Sequence, residues 1–94
     1  MRLRWLRKAL ENLDAEAAYI AQEDPAAARL VVQRILTAVR LLAVQPALGR
    51  PGRVAGTREL VVPKTCYLVP YRVRGQTVEI LRVFHTSRKP TGRW

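Results

Sequence analysis

The first part of the chain changes its hydrophobic period once, which predicts a strand followed by a helix. Between Arg2 and Leu6, apolar and basic side chains alternate with the period of a strand, so that Leu3 and Trp5 share one side. From Leu6 to about Gln22, apolar residues recur at spacings of three and four, which is typical of an amphipathic helix. The apolar stripe of this helix is Leu6, Leu10, Leu13, Ala17 and Ile20. We expect the stripe to face the core.

A second helix is predicted over residues 26–44. The Asp24 carboxylate can accept hydrogen bonds from the first unpaired amides, and Pro25 suits the first turn because it has no N–H to lose. Two adjacent apolar rows follow, one made of Ala28, Val31, Ile35, Ala38 and Leu42 and the other of Val32, Leu36, Val39 and Ala43. In one interpretation, one row packs on the first helix and the other on a sheet. In the alternative, the second row binds a partner helix.

The last forty residues favour strands. The segment QPALGRPG ends the helix in a loop, and strand-like runs follow at residues 58–62, 66–73 and 77–85, with Arg74–Gly75–Gln76 as a hairpin turn. If Val73 lies opposite Val78, the predicted core face consists of Tyr67, Val69, Tyr71, Val73, Val78, Ile80 and Phe84. The opposite face then carries Leu68, Pro70, Leu81, Val83 and Arg72 across from Glu79. Pro70 is unexpected in a strand interior because it cannot donate to a neighbouring strand.

Together these elements predict an α+β fold. An N-terminal strand, an α-helical hairpin and a three-stranded antiparallel meander form one sheet, with the helices packed on one face. The length of 94 residues fits a single domain over residues 1–94. No apolar run suits a secretory signal or a membrane span, so we expect a cytoplasmic protein without membrane contact. One cysteine, Cys66, and one histidine, His85, make no usual metal site, and we expect neither a metal nor a cofactor.

Charge changes this picture because it is concentrated in one half of the chain. The sequence carries 17 basic and 7 acidic residues, a formal net charge of +10. Residues 1–46 hold seven basic and five acidic side chains, whereas residues 47–94 hold ten basic and two acidic ones. A basic half of this kind attracts phosphate polyanions or an acidic protein.

Three segments of the chain resemble the RelE/ParE family of toxins from bacterial type II toxin–antitoxin modules. They are LGRPGRVAGTRELVV, YLVPYRVRG and VEILRVFHTSR, and the resemblance extends over nearly the whole chain. It implies a toxin held inactive by a cognate antitoxin of the ParD or RelB type, which wraps the toxin surface in a toxin–antitoxin hetero-oligomer. On this basis we assign Val32, Leu36 and Val39 to antitoxin binding.

The resemblance leaves two mechanisms open. RelE-like members cleave messenger RNA in the ribosome, whereas ParE-like members poison DNA gyrase. RNA cleavage requires proton transfer and cations for the charge on phosphorus, and the candidates for those roles are His85 for proton transfer with Arg58 and Arg82 at the phosphate.

An acid–base partner for His85 is not evident in the sequence. Glu79 would lie roughly 20 Å away along an extended strand. The catalytic lysine pair or glutamate and the C-terminal tyrosine of the RNase members also have no counterpart. We therefore expect the ParE-like branch, with a target-binding surface made of Arg72, Arg82, His85, Arg88 and Lys89. The alternatives are a ribosome-dependent endoribonuclease and a non-toxic basic module that binds nucleic acid.

Overall fold

The computed structural model of the chain describes residues 1–87. Within them, two helices and six strands follow in the order β1 (Arg2–Trp5), α1 (Arg7–Ala21), α2 (Pro25–Leu41), β2 (Arg50–Pro51), β3 (Arg58–Val61), β4 (Tyr67–Arg74), β5 (Thr77–Ile80) and β6 (Phe84–His85). The strands form one sheet in the order β1-β5-β4-β3-β2, and β6 pairs with β4 beyond the end of β5. The predicted α+β class is confirmed. No helix in the described range is long and apolar enough to cross a membrane.

The pairing of β1 joins the two ends of the described chain. β1 runs parallel to β5, with Leu3 opposite Val78 and Trp5 opposite Ile80, whereas every other strand pair is antiparallel. β2 lies in a segment that the sequence predicts as loop, and it pairs with only the first two residues of β3. The sheet therefore contains the predicted meander together with a short strand added at its outer edge.

Both helices cover one face of this sheet, and the N-terminal cap of α2 follows the sequence pattern. Asp24 caps α2, where its carboxylate accepts a hydrogen bond from the Ala27 amide at 3.0 Å. Ile35 and Leu42 of the first predicted row are fully buried in the core. The predicted stripe on α1 is wrong at Leu10, which is 47% exposed, because the buried position is Ala9. The Leu6 amide donates to the Ile80 carbonyl of the sheet at 3.0 Å, so α1 begins at Arg7. Ala9 lies one turn before the buried Leu13 and therefore occupies the core-facing side in place of Leu10.

The predicted return strand over residues 77–85 is broken at residues 81–83. Pro70 in β4 lies opposite this break, and its carbonyl accepts a hydrogen bond from the Leu81 amide at 2.9 Å. Because the amide and carbonyl of one residue in an antiparallel strand point to the same neighbour, the missing N–H of Pro70 also faces the break. Proline is tolerated in this interior strand because its partner leaves the ladder there.

The break also reverses the facing of the residues that follow it. The predicted register of Val73 with Val78 is confirmed. Beyond the break, Phe84 pairs with Leu68 on the side facing away from the helices, while Val83 is buried in the core. The predictions for Phe84 and Val83 are therefore wrong, because the irregular residues change the parity of the strand.

Candidate functional site

A groove lies between α2 and the outer edge of β3. β2 pairs only with Arg58 and Glu59, so the edge of β3 is uncovered from Leu60 onward. The groove has a volume of about 680 Å³. It is lined by Leu30, Gln33, Arg34, Thr37, Ala38, Leu41, Leu48, Gly49, Arg50, Glu59, Leu60, Val61, Pro63 and Lys64. An uncovered strand edge beside a helix is a surface on which another chain can pack.

The groove has an apolar floor and a basic rim. Four large apolar side chains in it are between 44% and 49% exposed, which is unusual for residues of their type: Leu30, Leu41, Leu48 and Val61. At one end, Arg34 donates a hydrogen bond from Nη1 to the Lys64 carbonyl at 3.1 Å, and Arg50 lines the other end. The chemistry suits an amphipathic segment with apolar anchors and acidic flanking residues.

The loop that forms one wall of the groove is held by a buried tyrosine. The Tyr71 hydroxyl donates to the Pro46 carbonyl at 2.7 Å and accepts from the Gly49 amide at 2.8 Å. A Cβ at Gly49 would lie 2.6 Å from Cε1 of the tyrosine ring, so a larger residue does not fit. Burial raises the pKa of Tyr71 above 10.0, against the lowering effects of the Gly49 hydrogen bond and the Arg58 charge. This tyrosine is therefore a neutral anchor for the loop.

Two glutamates on the face away from the helices are buried beside arginines. Glu59 is 4% exposed and lies 3.6 Å from both Arg50 and Arg53, with the Arg53 amide also donating to it at 3.1 Å. Its carboxylate therefore fixes the loop that follows β2.

Glu79 occupies the corresponding place near the β4–β5 hairpin. It is 5% exposed, accepts a hydrogen bond from Arg72 Nε at 2.6 Å, and lies 3.8 Å from Arg74 Nε. The hydrogen bond from Arg72 lowers the pKa of Glu79 below its usual value of 4.5, in spite of opposing desolvation, and the charges of Arg72, Arg74 and Arg4 act in the same direction. Glu79 is therefore an anion at neutral pH, at the centre of an arginine cluster.

His85 lies on β6 at the opposite end of the sheet from that cluster. Its ring packs edge-on against Tyr67, with the ring centroids 5.4 Å apart. Its Nδ1 is 2.7 Å from the Ser87 hydroxyl and also accepts from the Ser87 amide at 3.3 Å. The Tyr67 hydroxyl donates instead to the Glu16 carboxylate at 2.9 Å. Within residues 1–87, the hydrogen-bonding partner of His85 is thus Ser87, and no carboxylate or lysine of that range forms a hydrogen bond or ion pair with its ring.

The residues predicted for catalysis do not come together. Arg58 pairs with Tyr71 on one side of β4, whereas His85 pairs with Tyr67 on the other side. The Cα atoms of Arg58 and His85 are therefore roughly 15 Å apart. The Arg58 guanidinium donates through Nη1 to the Gly49 carbonyl at 2.7 Å and so supports the groove loop. Arg82 lies in the break, where its Nη1 donates to the Leu81 carbonyl at 2.7 Å.

The predicted target-binding set is likewise divided. Arg72 lies at the hairpin end of β4, on the face away from the helices, and His85 lies near the other end with the opposite facing. Arg82 is close to His85 in sequence and shares its end of the sheet. Arg88 and Lys89 lie outside the described residues.

The predicted antitoxin-binding row does not form a continuous surface. Val39 is 1% exposed and belongs to the core, because this side of α2 faces the sheet. Val32 and Leu36 are half-buried against the same core. An antitoxin role for these two residues stays a prediction, whereas Val39 is not accessible.

The groove residues are the ones that sequence reasoning missed. Leu30, Arg34, Thr37 and Leu41 form a third row on α2, at spacings of four, three and four. This spacing was a usable signal, because Leu30 and Leu41 belong to neither of the two rows assigned to the core. The exposed Leu48 and Val61 could not have been found in this way, since they reach the groove through loop and sheet geometry.

Comparisons with known proteins agree with this architecture. A family model described as the ParE toxin of the type II toxin–antitoxin system parDE matches residues 3–90. The candidate toxin Y4kP of Sinorhizobium fredii is 51% identical to this chain, and the aligned region covers 94% of this chain and 91% of Y4kP. Toxin RelE2 of Caulobacter vibrioides is 39% identical, over 89% of this chain and 93% of its own length.

A solved structure of the chromosomal ParDE toxin–antitoxin system from P. aeruginosa contains a similar chain. The two superpose with a TM-score of 0.80 at 35% sequence identity, covering 90% of this chain and 95% of the other. The family model spans most of the sequence, and the relatives are similar over nearly their full length. The chain belongs to the ParE toxin family of type II toxin–antitoxin systems.

Proposed function

We propose that this toxin inhibits DNA gyrase by binding to it, and that a cognate antitoxin neutralises it by occupying the groove between α2 and β3. The observation that carries the choice of mechanism is the environment of His85, which hydrogen bonds to Ser87 and to no carboxylate or lysine within residues 1–87. Inhibition by binding needs no such partner. The proposal places the toxin in the cytoplasm with its target.

The groove supports the antitoxin half of the proposal. Burial of four half-exposed apolar side chains would contribute several kcal/mol at roughly 25 cal/mol per Å². The rim carries the Arg34, Arg50 and Lys64 cations, which favour an acidic segment beside the apolar anchors. The P. aeruginosa relative comes from a ParDE system, which is consistent with a ParD-like partner here. The antitoxin segment we expect is therefore amphipathic, with leucine-like anchors and acidic residues.

A mutation in the groove tests the antitoxin half of the proposal. Leu41→Glu places a negative charge among the anchors and is expected to weaken antitoxin binding at least tenfold, measured by co-purification and titration calorimetry. Leu10→Glu is the matched control, because Leu10 is 47% exposed on α1 and Leu41 is 49% exposed on α2. Equal antitoxin affinity in the two variants would refute the groove assignment.

The mechanism is tested with purified toxin in two parallel assays. We expect loss of gyrase supercoiling activity and no cleavage of messenger RNA in translating ribosomes. His85→Ala is expected to keep inhibition of gyrase within a few-fold, since one partly buried imidazole contributes little to a protein interface. Arg82→Ala is expected to reduce inhibition more. Ribosome-dependent cleavage that His85→Ala abolishes would establish the RelE-like alternative, since removal of a general acid or base typically costs about 10²–10⁴ in rate.

A further inference from the structure

Four arginines lie together on the face of the sheet that points away from the helices. Arg4, Glu79 and Arg72 are paired across β1, β5 and β4, and Arg2, Thr77 and Arg74 form the adjacent row. Residues paired across strands, and those two apart along a strand, share a face. We name this cluster of Arg2, Arg4, Arg72 and Arg74 the hairpin arginines. Their Cα atoms form a rectangle of about 7 by 10 Å, given roughly 3.3 Å per residue and 4.8 Å between strands.

The hairpin arginines leave their terminal nitrogens available. Arg72 and Arg74 both approach Glu79 through Nε, at 2.6 and 3.8 Å, and their Nη atoms have no hydrogen bond within residues 1–87. Arg2 and Arg4 are exposed, and their side chains form no hydrogen bond or ion pair in that range. Other arginines differ in this respect, since Arg34, Arg58 and Arg82 donate from Nη1 to main-chain carbonyls.

Glu79 restrains the Arg72 side of the cluster. The Glu79 carboxylate lies beneath the guanidinium groups, where it is hydrogen-bonded to Arg72 and lies near Arg74. Glu79 is only 5% exposed, so its negative charge is largely shielded from a ligand in solvent. A guanidinium already fixed at Nε loses less conformational freedom when its two Nη groups bind an oxyanion. The Thr77 hydroxyl lies on the same face, between Arg2 and Arg74.

We propose that the hairpin arginines bind the phosphodiester backbone of a nucleic-acid duplex. With both strands counted, a duplex carries about one negative charge per 1.7 Å of its axis, which is about four phosphates along the 7 Å side of the cluster and about six along its 10 Å side. Single strands are normally held by aromatic stacking, and the described part of this face has no aromatic side chain at the hairpin end. The surface is therefore suited to binding by charge, without readout of base sequence.

This surface is distinct from the groove and from His85. The groove lies at the β3 edge of the sheet, two strands beyond β5, while the cluster spans β1 to β4 on the face away from the helices. The inference is thus independent of which enzyme the toxin inhibits and of how the antitoxin binds.

The test is a fluorescence anisotropy titration of the full chain with a labelled DNA duplex of about 20 base pairs, between about 50 and 200 mM salt. The variant Arg2→Gln/Arg4→Gln/Arg74→Gln removes three cations and keeps the Arg72–Glu79 hydrogen bond. The salt slope is the slope of the logarithm of the binding constant against the logarithm of the salt concentration, and the loss of three phosphate contacts should reduce its magnitude by about 2.7. The wild type should therefore lose roughly 40-fold more affinity than the variant over this range. The matched control, Arg7→Gln/Arg29→Gln/Arg40→Gln, removes the same charge from exposed helix positions and should keep the slope.

Further arms decide what the surface recognises. A duplex RNA of the same sequence should bind through its backbone with a similar loss in the triple variant. Arg2→Lys/Arg4→Lys/Arg74→Lys should restore the salt slope, which excludes misfolding as the cause of the loss. The proposal is overturned if both glutamine variants lose affinity equally, if single-stranded DNA binds more tightly than the duplex, or if only binding to anionic vesicles responds to the triple variant.

Discussion

Glu59 and Glu79 are two buried carboxylates on the same face of one sheet, and each lies between two arginines. Glu59 at the β3 edge accepts the Arg53 amide and lies 3.6 Å from both Arg50 and Arg53, so it ties a loop to the sheet. Glu79 in β5 contacts Arg72 and Arg74 of the neighbouring strand, so it organises side chains on a regular surface.

The difference shows that a buried glutamate beside arginines can support two kinds of surface, a groove and a charged strand face. On the groove side, the carboxylate, Tyr71 and Arg58 are all used to hold an irregular loop, and the surface that results is an apolar groove. On the hairpin side, strand pairing already fixes the backbone, and the carboxylate leaves the guanidinium ends free to bind. Loop-built surfaces should therefore be sensitive to single backbone contacts, while the hairpin surface should be sensitive mainly to charge.

A change in the core that both surfaces share has the largest expected effect. Ile35→Asp would bury a carboxylate at a position that is 0% exposed, at a cost of several kcal/mol, which is on the order of the whole stability of a small domain. We expect an unfolded protein by circular dichroism. Leu30→Asp on the exposed side of the same helix is the control. A soluble, native-like Ile35→Asp protein would show that the faces of α2 are wrongly described.

A methyl group added to the groove loop should destabilise the groove and leave the hairpin surface unchanged. Gly49→Ala would place its Cβ within 2.9 Å of both Tyr71 and the Glu59 carbonyl, and overpacking of this kind costs about 1–3 kcal/mol. Hydrogen exchange should accelerate in residues 46–53 and stay unchanged in β1 and β5. An equal loss of protection in both regions would contradict the independence of the groove loop.

Acid should act on the hairpin side through Glu79. Because the Arg72 hydrogen bond lowers its pKa in the folded protein, Glu79 stabilises the fold above pH 4.5, and this stability is lost as the pH falls below 4.5 and through the lowered pKa. Glu79→Gln should flatten the dependence of the unfolding midpoint on pH in that range, measured by urea titration. Arg72→Gln removes the cause and should do the same. Unchanged pH dependence in both variants would refute this coupling.

The smallest effect concerns the backbone at the groove's end. Lys64 has φ of 61°, a left-handed conformation that costs a residue with a side chain about 1–2 kcal/mol, whereas the hairpin uses Gly75 at φ of 60°. Lys64→Gly should raise stability by about 0.5 kcal/mol, after the greater freedom of glycine in the unfolded chain is subtracted. Lys64→Ala keeps the strain and should give no gain in thermal unfolding. Equal stabilisation by both substitutions would show that strain at Lys64 is not the cause.

Local patterns in the sequence were sufficient for most of the elements. The Asp24 cap, the two helices and the hairpin around Gly75 were predicted because each depends on residues within a few positions of one another. The family was also recognisable, since its segments are contiguous and the resemblance was confirmed by the match to residues 3–90. The third row on α2 is likewise encoded locally, as spacings of four, three and four.

Tertiary structure determined which distant segments of the chain are in contact. The parallel pairing of β1 with β5, the break at residues 81–83 and the groove all depend on contacts between distant segments, which no local period encodes. The break turned Phe84 away from the core and Val83 into it, because one irregular stretch inverts the alternation of a strand. Arginine content was plain in the sequence, but whether a guanidinium supports a loop or stays available to a ligand depends on which carboxylate or carbonyl the fold brings to it.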